Sequence, residues 1–377
     1  MTSFSISLQD CESEILSNLN DSFELVMDCK FNDEDNLLYS SHVDGKIFKF
    51  EFDFDENKLK SVSKVFGKKG SCRNIEFMNG MFIFTLNNII KLNLEKIIAI
   101  YNTGETILLD KSGKAVWKTP KSGVGVNAVT CFNNNIIVTG DDEGFVEIWD
   151  IRDKSNKSFS KFRDNEDCIN DIYHVEDKNS LIVISGDTLG VYDTKSIISK
   201  KNKDHLLSLS DPQEENILCS KTIRNNSKIV CGTDEGNLLF FSWGNFGDCT
   251  DRMLIPFVDG FEKDNSVEHI QIYQDQFAII STSDGILKVV EFFPNEILGT
   301  LTLNSMKKSE DINIECSKTT ISNLNNFIIH SHGIKLDFYS LSMVDDIISK
   351  GSSSSTYSVS KKKRKKSTIH NDFFQDL

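Results

Sequence analysis

The sequence lacks the patterns by which secreted and membrane proteins are recognised. Its 377 residues contain only 4 prolines, and no apolar run is as long as a membrane-spanning helix. The N-terminal segment, MTSFSISLQDCESE, has no basic region followed by an apolar core, so we expect no secretory leader. We therefore expect a protein that is neither secreted nor inserted in a membrane.

The cysteine pattern argues against a disulfide scaffold. The 9 cysteines are odd in number and irregularly spaced, and no C-x-x-C pair occurs among them. We interpret them as reduced intracellular thiols that mostly fill the core.

Enzyme motifs are also missing. There is no G-x-x-x-x-G-K-[ST], no H-E-x-x-H and no G-x-S-x-G. Residues 123–128, GVGVNA, match G-x-G-x-x-A, but the glycines precede a predicted strand rather than a helix, so we expect no phosphate site. His330 and His332 are two residues apart and could share a metal, but no third ligand stands at a useful spacing. The sequence thus predicts no catalytic residue, no cofactor and no metal.

The segment from Thr139 to Arg152, TGDDEGFVEIWDIR, indicates the fold. An apolar run at 136–138 leads into an acidic turn with Gly144, and a second strand ends at Trp149-Asp150. Two short strands joined in this way form a β-hairpin, and this pattern is typical of a WD-repeat propeller blade. The acidic residues 141–143 could form a carboxylate site, but we interpret them as turn residues.

Weaker copies of this hairpin recur along the chain. Their turn glycines recur at roughly 40–60 residues, near the period of WD repeats; they are Gly45, Gly104, Gly144, Gly190, Gly236, Gly285 and Gly333. The fourth copy has Tyr192-Asp193 in place of Trp-Asp, and the second is interrupted by an insertion near residues 78–94. We therefore predict an all-β protein, with a seven-bladed WD-repeat β-propeller at residues 1–349 and a disordered tail at 350–377.

A closed ring needs a strand that joins the last blade to the first. The alternating segment from Phe4 to Leu8 is the preferred candidate, because it precedes the first blade and would add an outer strand to the seventh. The alternative is that Met343 to Ser349 completes the seventh blade.

The C-terminal tail differs in composition from the rest. Gly351 to Ser355 resemble a flexible linker, and a basic run follows. Its six cations are Lys361, Lys362, Lys363, Arg364, Lys365 and Lys366. Without them the net charge of −14 becomes −20 for the remainder. A basic run on an acidic protein predicts nuclear import by importin, although a merely solubilising tail is the simpler alternative.

Residues 229–252, IVCGTDEGNLLFFSWGNFGDCTDR, and 281–301, STSDGILKVVEFFPNEILGTL, contain more specific features. Together with the Asp372-Phe373-Phe374 ending, they resemble the WD-repeat-protein-55 family of nucleolar propellers associated with ribosome production. The resemblance implies a non-catalytic scaffold of the nucleus and nucleolus that acts in ribosome biogenesis and ribosomal RNA processing. Because the propeller is acidic, we expect it to bind basic ribosomal or assembly proteins as a monomer within a larger complex, with RNA contact confined to the tail.

A different function follows from Trp149, Asp150 and Arg152. They match the W-D-x-R pattern of propellers that dock on the damage-binding adaptor of cullin-RING ubiquitin ligases, where they serve as substrate receptors. In the structural interpretation, Trp149 packs in the blade, Asp150 ends the strand and Arg152 is solvated.

Overall fold

The computed structural model describes residues 3–8, 23–32, 36–54, 58–78, 82–85, 88–91, 96–199, 205–256, 265–301, 317–323 and 325–355. Within them, seven four-stranded antiparallel sheets form the blades of a propeller. The innermost strand of each blade contacts the innermost strands of the two neighbouring blades, so the seven blades form a closed ring. The predicted seven-bladed propeller is confirmed.

Each blade has an inner strand, two middle strands and an outer strand, in that order. Blade 1 has β2 (Val26–Asn32), β3 (Leu37–His42), β4 (Lys46–Asp53) and β5 (Lys58–Gly67). Blade 2 has β6 (Cys72–Met78), β9 (Lys96–Tyr101), β10 (Thr106–Leu109) and β11 (Ala115–Lys118). Blade 3 has β12 (Val126–Asn133), β13 (Ile136–Asp141), β14 (Val146–Asp150) and β15 (Ser160–Phe162). Blade 4 has β16 (Ile169–Val175), β17 (Ser180–Ser185), β18 (Thr188–Asp193) and β19 (Leu206–Leu209).

Blade 5 has β20 (Ile217–Ile223), β21 (Lys228–Thr233), β22 (Asn237–Ser242) and β23 (Asp251–Leu254). Blade 6 has β24 (Val267–Tyr273), β25 (Phe277–Thr282), β26 (Leu287–Glu291) and β27 (Glu296–Leu301). Blade 7 has β28 (Ser317–Ser322), β29 (Phe327–His332), β30 (Lys335–Ser340) and the N-terminal β1 (Phe4–Ser7). The helical segments are a 3₁₀ turn at Glu176–Lys178, α1 (Thr194–Ser199) and α2 (Leu341–Ser355).

The core lies between the blades. In β13, Ile137 packs against blade 2, whereas Val138 packs against blade 4. Successive side chains of a strand point to opposite faces of the sheet, and both faces of each blade are covered by a neighbour. Several middle strands, such as β10, β17 and β22, therefore carry apolar residues on both faces instead of alternating with polar residues.

The N-terminal strand closes the ring, as predicted. β1 pairs antiparallel with β30, with Phe4 opposite Phe338. The rings of Phe4 and Phe338 stack with centroids 4.5 Å apart. Leu8 follows the strand and is fully buried in the cluster between blades 7 and 1. The last blade thus depends on the start of the chain for its outer strand.

The alternative closure by Met343 to Ser349 is wrong, because these residues lie in the helix α2. Its apolar residues recur at the spacing of a helix, and Leu341, Val344 and Ile347 pack against blades 6 and 7. The helix also continues past the predicted domain boundary at residue 349. Gly351 therefore lies in a helix and not in a flexible linker, and an added Cβ there would meet Leu298 at 2.7 Å.

The second and fourth repeats depart from the common pattern. The insertion in the second blade forms a separate hairpin of β7 (Phe82–Thr85) and β8 (Asn88–Lys91) between β6 and β9, as the sequence indicates. The assignment of Gly190 to a turn is wrong, because it lies inside β18, where an added Cβ would meet the ring of Tyr192 at 2.9 Å. Gly186, with φ +53°, occupies that turn instead.

No helix among the described residues has both the length and the apolar content needed to cross a membrane. Of the disordered tail predicted at 350–377, residues 356–377 lie outside the described residues.

Ring closure can be tested with two leucines. Leu8→Ala removes a fully buried side chain and should lower the free energy of unfolding by about 2–5 kcal/mol. Leu207→Ala is the matched control, because Leu207 is 61% exposed and its loss should change stability by less than about 0.5 kcal/mol. Denaturant unfolding measures both variants, and equally small effects would contradict closure by this segment.

Candidate functional site

The blade topology creates two ends of the propeller with different connections. In each blade the turn between the second and third strands opens at the same end as the connection to the next blade. We call this the b–c end. The turn between the first and second strands and the connection from the third strand to the fourth open at the other end, which we call the c–d end. Loops at such ends usually carry the binding functions of a rigid scaffold.

The acidic turn of blade 3 has a structural role. Oδ1 of Asp141 accepts hydrogen bonds from the backbone N–H groups of Glu143 and Phe145, at 3.0 and 2.8 Å. This confirms the interpretation of Asp141 as a turn residue. Asp142 and Glu143 are exposed at the b–c end.

Further carboxylates lie along the b–c end of blades 3, 4 and 5. We call the exposed ones the acidic face; they are Asp142, Glu143, Asp164, Glu166, Asp167, Asp211, Glu214 and Glu235. Among its cations, Arg73 binds Asp142 at 2.8 Å and Arg252 binds Glu214 at 3.3 Å. These pairs compensate two of the eight carboxylates, and exposed Arg163 adds one further positive charge. The acidic face therefore keeps a clear excess of negative charge.

The b–c end of blades 1 and 2 has another character. The connections that follow blades 1 and 2 carry the exposed lysines Lys69 and Lys121. Lys68, beside Lys69, is bound to Glu105. Among the described residues, charge is thus distributed unevenly between blades 1–2 and blades 3–5, and a basic partner would be attracted to blades 3–5.

The inner strands surround a central channel with about 810 Å³ of space. Its charges occur in opposed groups. Lys30 and Glu76 form an ion pair at 3.2 Å, and the attraction of Glu76 raises the pKa of Lys30. Burial would lower the pKa of Lys318. Nearby negative charges, with Asp28 as the largest, outweigh burial and raise this pKa. Burial and then the charge of Lys318 lower the pKa of His269, which is neutral at pH 7. Both signs of charge line the channel, unlike the acidic face.

The W-D-x-R residues of blade 3 have separate surroundings. Trp149 is 7% exposed, and its Nε1 donates a hydrogen bond to Oγ1 of Thr139 at 2.9 Å. Arg152 is exposed, and it donates from Nε and Nη2 to the two carboxylate oxygens of Asp150 at 2.9 and 2.6 Å. The geometry agrees with the packing role of Trp149. It also leaves the Arg152–Asp150 pair accessible at the c–d end.

Two histidines and an aspartate meet in blade 7. His330 and Asp337 are directly opposite each other on β29 and β30, and His332 lies two residues further along β29. Their ligand atoms all lie within 4.8 Å of one another, and the three residues are buried. Nε2 of His332 is 2.8 Å from Oδ2 of Asp337. The expectation that the two histidines lack a third ligand is therefore wrong, because strand pairing brings Asp337 beside them.

This cluster contains polar atoms without partners. Nδ1 of His330, Oδ1 of Asp337 and Oη of Tyr339 are buried and have no hydrogen-bond partner within the described part of the chain. An unsatisfied buried polar group costs roughly 1–3 kcal/mol. Burial lowers the pKa of His330 to about 3, so its imidazole is neutral at pH 7. Burial would raise the pKa of Asp337, but the hydrogen bond with His332 outweighs it and holds this pKa below its usual value.

The two most specific features of the resemblance join neighbouring blades. In the run at 243–247, Trp243 packs edge to face on Phe246 with centroids 5.5 Å apart, and both lie in the cluster between blades 4 and 5. The backbone N–H of Asp211 donates to the carbonyl of Gly247 at 2.6 Å. Nδ2 of Asn295, beside Pro294, donates to Oδ2 of Asp251 at 2.6 Å and so links blade 6 to blade 5. These residues join neighbouring blades. Their contacts do not indicate which partner the protein binds.

Comparison with known proteins identifies the family. No protein-family model matches the chain. WD repeat-containing protein 55 of Arabidopsis thaliana is 30% identical over 274 residues, which cover 71% of this chain and 69% of that protein. The chain belongs to the WD repeat-containing protein 55 family. The rat protein of this name is 24% identical over 321 residues, covering 84% of this chain and 74% of its own. The human protein is 22% identical over 321 residues, covering 84% and 75%.

Membership of the WD repeat-containing protein 55 family confirms the resemblance seen in the sequence. It agrees with the seven-bladed propeller and with a general role in protein–protein interaction. The predicted nuclear-localisation run at 361–366 and the ending at 372–374 lie outside the described residues.

Proposed function

We propose that this protein is a non-catalytic nucleolar scaffold in ribosome biogenesis, and that its acidic face binds basic ribosomal or ribosome-assembly proteins. Its role in processing ribosomal RNA precursors is then indirect, through the proteins that it assembles. The nucleolar and ribosomal part of this proposal rests on the family resemblance. The observation that carries the binding part is the excess of carboxylates at the b–c end of blades 3–5.

The charge distribution favours protein over RNA as the main partner of the propeller. Ribosomal RNA presents phosphates, which the acidic face repels, whereas basic proteins gain from opposite charge and are steered to it. RNA contact is assigned to the six cations at 361–366. The same run is proposed to bind importin. No cofactor is invoked, because binding alone is the proposed output.

Three carboxylates of the acidic face allow a clean test. Glu143, Glu166 and Glu235 are exposed, and none of their carboxylates accepts a hydrogen bond within the described residues. Changing all three to glutamine should leave the fold intact and weaken binding of basic partners by about tenfold, since each rim charge contributes roughly 0.5 kcal/mol. Tagged protein is purified from nuclear extract, and its pre-ribosomal partners are quantified. Cells depleted of the protein are then rescued with each variant, and ribosomal RNA precursors are measured.

The matched control changes Glu176, Glu296 and Asp346 to their amides. These carboxylates are also exposed, but they lie at the c–d end. Both variants replace three carboxylates with amides, so the net charge changes by the same amount. We expect the control to retain its partners and to restore precursor processing, and the acidic-face variant to fail in both. Equal binding by both variants would contradict the assignment of the face. Normal precursors after depletion would contradict the ribosomal function.

Nuclear location is proposed to depend on Lys361 to Lys366. Replacing all six cations with glutamine should move a fluorescent fusion from the nucleus to the cytoplasm, because an importin groove recognises a run of cations. Replacing the five lysines with arginine keeps the charge and should keep the fusion nuclear. A neutral variant that remains nuclear would show that import uses another signal.

A substrate receptor for a ubiquitin ligase is the second candidate. The observation that favours it is the exposure of Arg152 beside the buried Trp149 at the c–d end of blade 3. Arg152→Ala should abolish co-purification of the adaptor and leave thermal unfolding nearly unchanged, since a fully exposed ion pair contributes little to stability. Lys154→Ala, at a nearby exposed cation, is the control. Adaptor binding that survives in Arg152→Ala, or is absent from the wild type, would reject this candidate.

A further inference from the structure

The His330–His332–Asp337 cluster differs from the equivalent polar groups of blades 3 and 6. In blade 3 the indole of Trp149 donates to Thr139. In blade 6 the ammonium group of Lys288 is close to a hydroxyl and a carboxylate, at 3.2 and 3.6 Å. Neither network leaves an unpaired buried atom within the described residues. In blade 7, Nδ1 of His330 has no hydrogen-bond partner within the described residues, and the Asp337 carboxylate and the Tyr339 hydroxyl interact without a well-aligned hydrogen bond on the same face of the sheet. The protein alone therefore does not fully satisfy this cluster.

The hydrogen bonds of His330 leave one nitrogen free to act as a ligand. Its Nε2 is 2.7 Å from Oγ of Ser317. With the proton on Nε2 donated to this hydroxyl, the buried Nδ1 has a lone pair that no other group uses within the described residues. A metal-ligating histidine commonly donates its other N–H to such a second group, which fixes the ring. The geometry around His330 is therefore that of a ligand.

We propose that His330, His332 and Asp337 bind one divalent transition-metal ion, with Zn²⁺ as the preferred metal. Two imidazoles and a carboxylate are a donor set that zinc uses, with bonds of about 2.0–2.2 Å. Their ligand atoms already lie within 4.8 Å of one another, so side-chain adjustment without a change of strand pairing brings them around one ion. Oη of Tyr339, two residues along β30 from Asp337, or a water molecule completes the coordination.

The position of the site indicates a structural role. Its ligands lie on β29 and β30, and Asp337 is directly opposite Ser5 of the closing strand β1. The ligand residues are 0–6% exposed, which leaves no open approach for a substrate. A metal here would hold together the blade at which the ring closes. A metal bound only by the folded state stabilises that state.

Binding can be measured on the full-length protein after treatment with a chelator. Zn²⁺ binding is followed by calorimetry and by elemental analysis of dialysed protein, and Co²⁺ is used as a spectroscopic probe. We expect one Zn²⁺ per chain and a higher thermal unfolding midpoint with the metal. His330→Ala and Asp337→Asn should each weaken binding by more than about 100-fold, because the first removes a direct ligand and the second replaces a charged ligand with a neutral amide. If His330→Ala does not fold, His330→Gln serves in its place.

The matched control is His42→Ala. His42 is also fully buried near the b–c end, but its two ring nitrogens are paired with Oγ of Ser40 and the carbonyl of Glu24, at 2.6 and 2.7 Å. Its removal should destabilise the protein and leave zinc binding intact. No stoichiometric binding by the wild type would overturn the proposal. Binding that persists in both ligand variants, or a thiolate-to-cobalt absorption band, would assign the metal to cysteines and also overturn it.

Discussion

The structure depends on the antiparallel pairing of β1 with β30, which joins the two ends of the ring. Each blade needs a neighbour on both faces, because the residues of its middle strands point alternately to the two sides and are apolar on both. An open ring would expose one face of blade 7, one face of blade 1 and the free edge of β30. The pairing of Phe4 with Phe338 and the burial of Leu8 remove these exposed surfaces together.

A closed ring leaves the ends of the blades for function. The strands and their clusters are shared by all seven blades, whereas charge varies between connections at the same end. Carboxylates concentrate at the b–c end of blades 3–5, and exposed lysines lie at blades 1 and 2. The propeller thus holds opposite charges at fixed positions, and the proposed basic partner would meet an oriented surface. This is how the surface charge of a propeller can select a class of partner.

The sequence predicts the fold well because each blade carries a local pattern. The turn at Asp141 with Gly144, and the alternation from Phe4 to Leu8, depend on neighbouring residues and can be recognised without the structure. The helix α2 is harder to predict because a short apolar segment fits a strand or a helix, and the spacing of Leu341 and Val344 decides between them.

The blade 7 cluster could not be predicted from spacing alone. Asp337 faces His330 through the register of β29 and β30, and the turn between these strands, around Gly333, contains no acidic residue. A one-residue change of register would place Asp337 on the opposite face of the blade. The acidic face also results from the topology. Residues 142 and 235 are distant in sequence, and only the ring places both at the b–c end.

Native-state hydrogen exchange of the full-length protein tests ring closure most directly. If β1 is the outer strand of blade 7, the amides of residues 4–7 should be protected and should exchange together with those of 335–340. The same peptides should become exposed at the same denaturant concentration. Exchange of residues 4–7 at the rate of an unfolded chain, with 335–340 still protected, would contradict closure by the N-terminal strand.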